Sequence, residues 1–205
     1  MFSFFRDFKR KRNLAKLKDE KFKFLFEDIE DEYVVFDTET TGLNPKVDEI
    51  LSIGAVKIKG NKILTSQTFE VFIKNQKTIS SKSIEIHRIR PCDLENARNA
   101  DEAILEFLEF IEGRVLVGYY LEFDVDMINK YLQTLLGIKL PNKTKEISEL
   151  YYDEQIELIP QGNIDLRFDT ILKKYDIPNM GVHNAVNDAV MTAMIFLKLK
   201  GSKND

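Results

Sequence analysis

Cysteine is nearly absent from this chain. Cys92 is the single one among 205 residues, so no intrachain disulfide can form, and a reducing, cytoplasmic setting is the expectation. Histidine is almost as scarce. His87 and His183 are the two present, too few for a zinc site built from cysteines and histidines. No apolar run reaches the roughly 18 to 20 residues that a membrane-spanning helix requires. Charges interrupt the apolar residues at the N-terminus, which therefore does not read as a secretory signal.

Charge is what the chain has in quantity, and it is unevenly spread. The net value of −4 conceals a head, residues 1–23, with nine Lys/Arg against Asp7, Asp19 and Glu20, or +6. The remaining residues then carry −10. An acidic body can still meet a polyanion if its carboxylates surround divalent cations that reverse the local sign. The head alternates basic residues with Phe2, Phe4, Phe5, Phe8, Phe22, Phe24 and Phe26 and favours one or two amphipathic helices over residues 5–25. An acidic connector, Glu27 to Glu32, follows, so the expected division is a basic Phe-rich helical extension at 1–30 and a body at 31–200.

The body opens on an apolar strand, Tyr33–Phe36, ending at Asp37, and a turn from Thr40 to Pro45. Runs Ile50–Ile58 and Ile63–Ile73, separated by Lys59-Gly60-Asn61-Lys62, predict a hairpin. Ser83–His87 and Asp93–Ala97 read as short helical or looped segments. Asp101 is the expected N-cap of a helix to Ile111, since Ala103, Ile104, Phe107, Leu108 and Ile111 form one apolar face. A buried strand at Val115–Tyr119, a helix at Phe123–Leu136, a short strand near Ile147 and helices at Leu166–Tyr175 and Val186–Leu199 complete the pattern. This order predicts an α/β fold with a mixed sheet flanked by helices.

Asp37 and Glu39 lie two apart on a strand, so both carboxylates leave from one face. Held that close they repel, unless a proton or a divalent cation sits between them. Alone, the pair is also what an ordinary acidic strand end looks like. Asp124 follows Phe123 at the start of a helix, where an acid simply favours the helix dipole; Asp126 has the same explanation and reads as a solvated or capping acid. His183 sits in a loop after Gly181, and Asp188 opens an apolar helix. Taken singly, each has a bland reading.

Taken in order, Asp37-x-Glu39-Thr-Thr-Gly-Leu43, Gly118-x-x-x-x-Phe123-Asp124 and His183-x-x-x-x-Asp188 resemble the DEDDh exonuclease family, which includes proofreading epsilon subunits, oligoribonuclease and ribonuclease T. The resemblance covers Tyr33 to Leu199. It implies a ribonuclease-H-like, five-stranded mixed sheet and a metal-dependent 3′→5′ exonuclease. It also implies four metal ligands, Asp37, Glu39, Asp124 and Asp188, holding two Mg²⁺ or Mn²⁺ ions, with His183 as general base. By the same resemblance Asp37 bridges the ions, Glu39 and Asp188 serve the one that activates water, and Asp124 serves the one near the leaving group. Thr40, Thr41 and Leu43 would grip the 3′-terminal nucleotide, with His87, Phe123 and Tyr120 as further substrate contacts. His87 also reads as a surface histidine on a short helix.

One departure stands out. Many family members carry Gly-His-Asn where this chain has Gly118-Tyr119-Tyr120, so phenols replace a donor–acceptor pair in phosphate positioning, and Tyr120 could stack on a base. The Thr40 that follows Glu39 resembles proofreading subunits more than oligoribonuclease, which usually has methionine there, so single-stranded DNA is expected over RNA. An RNA-trimming enzyme and a non-catalytic nucleic-acid-binding module are the alternatives. The chain ends soon after the last helix, which leaves no polymerase-binding extension of the epsilon type. Gln155-Ile-Glu-Leu-Ile159 resembles a sliding-clamp peptide, a pattern short enough to arise by chance. The basic head is expected to pack on the body, with binding to a nucleic-acid backbone or an anionic membrane as the other readings.

Overall fold

A computed structural model of the chain describes residues 2–158, 162–181 and 183–202, and the side chains among them except those of residues 2–7, 158 and 202. The elements in chain order are α1 (Phe2–Leu14), β1 (Glu32–Thr40), β2 (Ile50–Lys59), β3 (Lys62–Phe72), α2 (Ser81–His87), α3 (Ala100–Ile111), β4 (Val115–Gly118), α4 (Leu121–Leu135), β5 (Thr144–Glu146), α5 (Ile147–Leu158), α6 (Phe168–Lys174) and α7 (Ala185–Ser202). The strands form one sheet in the order β3-β2-β1-β4-β5. β1, β2 and β3 pair antiparallel, while β4 and β5 join in parallel. This is the expected five-stranded mixed sheet, and no described helix is long and apolar enough to cross a membrane.

Alternation along β1 assigns its two faces. Val34 and Phe36 enter one core with Ile104, Phe107 and Leu108 of α3 and Met127 and Ile128 of α4. Val35 enters the other with Ile147 and Tyr151 of α5 and Ala189, Met191 and Ile195 of α7. By the two-residue period, Asp37 and Glu39 share the α7 side, and Thr38 faces the α4 side.

Several boundaries differ from the sequence expectation. β1 runs on through the carboxylates to Thr40 because β2 continues to pair with it, with a register shift at Glu39/Thr40. The α3 N-cap is Asn99, not Asp101: the Asn99 side chain accepts the Asp101 N–H at 2.9 Å, which puts Asp101 inside the first turn. The strand expected near Ile147 ends at Glu146, and Ile147 opens α5, a helix whose acid-broken pattern hides its apolar face. Helix α4 starts at Leu121, two residues before the expected Phe123.

The basic head is one helix and a 3₁₀ segment, Glu20–Phe26, rather than continuous helix. Phe22 and Leu25 are buried in the core beside α3, with Phe24 and Phe26 packed against it. Phe2, Phe4 and Phe5 have side chains outside the described set. Backbone contacts hold the head at the far end of α4. The Lys18 N–H donates to Leu136 O at 3.0 Å, and Asn13 makes two bonds with the Lys139 backbone, at 2.7 and 3.1 Å. Gly137 (φ 72°) makes this possible, since a Cβ there would sit 2.8 Å from Lys16 O.

Candidate active site

Three elements bring the acidic residues together. Asp37 and Glu39 leave the α7 face of β1, and Asp188 lies in the first turn of α7 above them. The close approach of α7 depends on Gly54, which pairs opposite Asp37 in β2. A Cβ at Gly54 would lie 2.2 Å from Ala185 C and Val186 N, so α7 starts directly on the strand backbone. Asp124 arrives from the other side of the sheet, in the first turn of α4. Its Oδ1 accepts from Thr38 N at 3.1 Å and Thr38 Oγ1 at 2.5 Å. The N-terminus of α4 is itself fixed from β5, where Glu146 accepts from Tyr120 N at 3.0 Å and Leu121 N at 2.7 Å. Tyr120 caps the helix in a left-handed conformation and supplies no side-chain bond.

These residues line a cleft of about 790 Å³ with His183, Thr40, Leu43, His87, Tyr120 and Phe123. Of the sequence-derived set, Thr41 stays out of it. Its hydroxyl donates to Asp48 and accepts the Glu49 N–H, so it builds the turn. Leu43 stands almost fully exposed at the rim, 87% accessible. His87 is not a surface residue: it is buried, its Nδ1 accepts the Ile89 N–H at 3.0 Å, and its Nε2 has no partner. The tautomer that follows carries its proton on Nε2, the nitrogen left without a partner. Burial lowers the His87 pKa, as does the nearby His183, so the ring stays neutral. Asp126 is solvent-exposed.

The sequence did not single out Arg167, Phe168 or Glu146, and it marked Tyr119 only as a departure from the family pattern. Tyr119 donates to Leu166 O at 2.8 Å and packs its ring 5.0 Å from Phe168 and 4.6 Å from Tyr120, which makes an aromatic wall. Asp165 grips Arg167 at the rim. An aromatic and an arginine in the stretch before α6 were the available signals. Glu146 offered none: besides its local bonds from Ser148, the partners that matter to the cleft are Tyr120 and Leu121, 25 and more residues away. Gln155 of the clamp-like pentapeptide is buried in α5, and Ile159 lies outside the described residues.

The electrostatics call for a cation. Burial raises Asp37 well above the usual carboxylate range, and the charges of Asp124, Glu39 and Asp188 raise it further, although the residue keeps some surface in the cleft. Burial also pushes Glu39 and Asp124 up to about 7, while Asp188 is raised by burial against the bonds it accepts from the His183 and Asn184 N–H groups. Oδ1 of Asp188 is buried with no hydrogen-bond partner, although Oδ2 accepts the His183 N–H at 2.8 Å. Ligand atoms of Glu39, His183 and Asp188 lie within 4.8 Å of one another. An orphaned carboxylate oxygen among mutually repelling oxygen donors fits a hard divalent cation.

A stability consequence follows. A carboxyl whose pKa is raised on folding costs nothing below its unfolded value near 4.5, costs more as pH climbs from there to about 7, and a constant amount above. The metal-free protein is therefore expected to lose Tm from these groups between roughly pH 4.5 and pH 7, and the increment in Tm on adding Mn²⁺ to grow over the same window. Thermal melts in EDTA and in Mn²⁺ at several pH values check this. A Mn²⁺ increment that does not change with pH would contradict it.

Comparison with known proteins agrees with the geometry. The RNase_T exonuclease family model matches residues 34–196. PolC-type DNA polymerase III of Caldanaerobacter subterraneus subsp. tengcongensis is 38% identical over 174 residues, 83% of this chain but 12% of that one, so the chain spans about an eighth of this relative. The DNA polymerase III epsilon subunit of Aquifex aeolicus is 28% identical over 167 residues, 82% of this chain and 79% of that one. Escherichia coli exonuclease I, solved with a dT13 oligonucleotide, superposes with a TM-score of 0.73 at 14% identity, covering 85% of this chain and 42% of that one. With three acidic motifs folded into one cleft and a family model spanning nearly the whole body, the chain belongs to the RNase_T exonuclease family.

Proposed function

We propose that the protein hydrolyses phosphodiester bonds from the 3′ end of single-stranded DNA, in preference to RNA, using two divalent ions and His183 as general base. The observation that carries this reading is the meeting of Asp37, Glu39, Asp124, Asp188 and His183 in one cleft. Mg²⁺ or Mn²⁺ suits a donor set made of carboxylates. When bound, such ions offset the charge that builds on the phosphate and make water a stronger nucleophile at neutral pH.

The protein's own groups have separable roles. The charges of all three other carboxylates act on Asp37, which supports a role in which it would contact both ions. Glu39 and Asp188 converge near His183, on the side where a water would be deprotonated. Asp124, held by Thr38, serves the leaving-group side. His183 is exposed in the cleft beside Glu39 and Asp188, and its imidazole is the proton acceptor of this reading. Leu43 at the rim, His87 through its Nε2–H, and Phe123 with the Tyr119–Tyr120 wall would hold the terminal nucleotide by contact and stacking. Thr40 helps set the turn that carries Leu43, its hydroxyl bonding Gly42 O at 2.8 Å. The DNA-polymerase relatives support DNA as substrate and an association with replication, and removal of a mismatched 3′-terminal nucleotide is the expected setting.

The test is incubation of 5′-labelled single-stranded DNA, duplex DNA and RNA with Mg²⁺ or Mn²⁺, followed by resolution of the products. A ladder shortened stepwise from the 3′ end, fastest on single-stranded DNA, is expected. Faster shortening of RNA would transfer the reading to an exoribonuclease. No shortening of any substrate would leave a binding module without turnover.

A further inference from the structure

A second groove, of about 690 Å³, lies between the basic head and the segment joining α4 to β5. It shares no residue with the acidic cleft. Lys9, Arg10, Arg12 and Lys16 line one wall, and Lys139 and Lys143 the other. Asp28 bridges Arg10 at 2.8 Å and Lys143 at 2.6 Å. Among the described residues Lys9, Arg12, Lys16 and Lys139 are exposed and make no ion pair. The Arg10 Nε–H is buried and has no partner.

The groove is built rather than incidental. Asn13 and Lys18 fasten its head wall to the backbone at Thr134, Leu136 and Lys139, so the cations are held in place before any ligand arrives. Asp28 offsets two of the six cations around the groove, and the repulsion among Lys9, Arg12, Lys16 and Lys139 is relieved further when an anion enters. Lys9 and Arg12 stand about 4.5 Å apart along the axis of α1, and Lys16 follows in the turn past its end. A single phosphate cannot span such a row, whereas consecutive phosphates of a nucleic-acid strand can.

Its position relative to the cleft is equally specific. Asp124 stands at the first turn of α4, and the groove lies past the other end, at Gln133 and Gly137. Thirteen residues at 1.5 Å each set the two about 20 Å apart. We propose that this groove is a second nucleic-acid site, which holds the phosphodiester backbone of the substrate several nucleotides upstream of the 3′ end. The inference rests on the reading of the substrate as nucleic acid, and it adds a tether that short substrates cannot reach.

The experiment removes the four unpaired cations together, Lys9→Ala, Arg12→Ala, Lys16→Ala and Lys139→Ala, in the full chain. All four are exposed, so the melting curve should stay that of the parent; the Arg12→Ala and Lys16→Ala single variants replace the combination if it does not fold. Anisotropy of a 5′-labelled 30-nucleotide single strand in EDTA should show Kd raised by roughly tenfold or more at moderate salt. The slope of log K against log salt should be shallower by up to about 0.7 for each phosphate that is no longer neutralised. With Mn²⁺, KM on the 30-mer should rise while kcat and the trinucleotide KM do not change. Unchanged 30-mer affinity and salt slope would overturn the proposal. So would loss of binding to phosphatidylserine vesicles with nucleic-acid binding intact, which would assign the groove to a membrane surface. Binding in EDTA is independent of turnover, so an inactive protein that still loses affinity would sink the exonuclease reading and leave this site standing.

Discussion

Replacing Asp37 with asparagine will leave a folded protein that no longer shortens nucleic-acid ends. The side chain keeps its shape and loses its charge at the position that faces all three other carboxylates. Metal binding supplies several kcal/mol of charge stabilisation in such a reaction, and at 1.36 kcal/mol per tenfold the loss should reach 10³-fold or more. In EDTA near pH 8 the same variant should melt higher than the parent, because one of the buried, mutually repelling charges has gone. For a chain of this size each kcal/mol of relief is worth about 2–4 °C. The Mn²⁺ increment in Tm should disappear with the activity. His183→Ala should behave differently: turnover falls by roughly 10² to 10⁴, but the Mn²⁺ increment persists. If the alanine variant loses that increment as completely as Asp37→Asn does, His183 is a metal ligand and not the base.

Gly54→Ala is expected to disable the site without touching any group in it. The added Cβ would meet the Ala185 and Val186 backbone at 2.2 Å, and neither side can yield by a rotamer change. The start of α7 must then lift by an ångström or more, and Asp188 moves with it. Overpacking of this kind costs about 1–3 kcal/mol of stability, and an ångström of misplacement at a reacting centre costs on the order of 10²-fold in rate. Melting curves and single-turnover rates measured on one preparation separate the two effects. Full activity with an unchanged Tm would show that α7 is not seated on Gly54. Added Mn²⁺ should recover little, since the defect is in the spacing of the ligands.

The residues that carry charge in the cleft were legible because local periodicity alone relates several of them. Asp37 and Glu39 share a face as any i, i+2 pair on a strand does. Asp124 and Asp188 fall in the first turns of helices that their apolar patterns announce. Motif order then joined groups that no local rule connects. Gly54 was less legible: a lone glycine in an apolar strand signals close backbone approach, but not which backbone approaches. Asn99 and Asp101 are both good capping residues, and only the path of the chain into α3 decides between them. Ile147 looked like strand because the acids of α5 blur its helical period. His87 looked exposed because the small core beside its short helix joins the flanking Ile79 and Ile89 to Leu51 of β2, which is distant in the chain.

The sequence by itself determined most of the elements and the α/β class, which follow from short-range periodicity, while the four carboxylates and the histidine were singled out by the order of three motifs that resemble one family. Only the tertiary structure decided how they meet. It seats α7 on Gly54, fixes α4 through Glu146, adds the Tyr119–Phe168 wall, leaves Thr41 in the turn and docks the basic head roughly 20 Å from Asp124. Those outcomes depend on contacts between residues far apart in the chain, where the space left by one side chain sets the position of another.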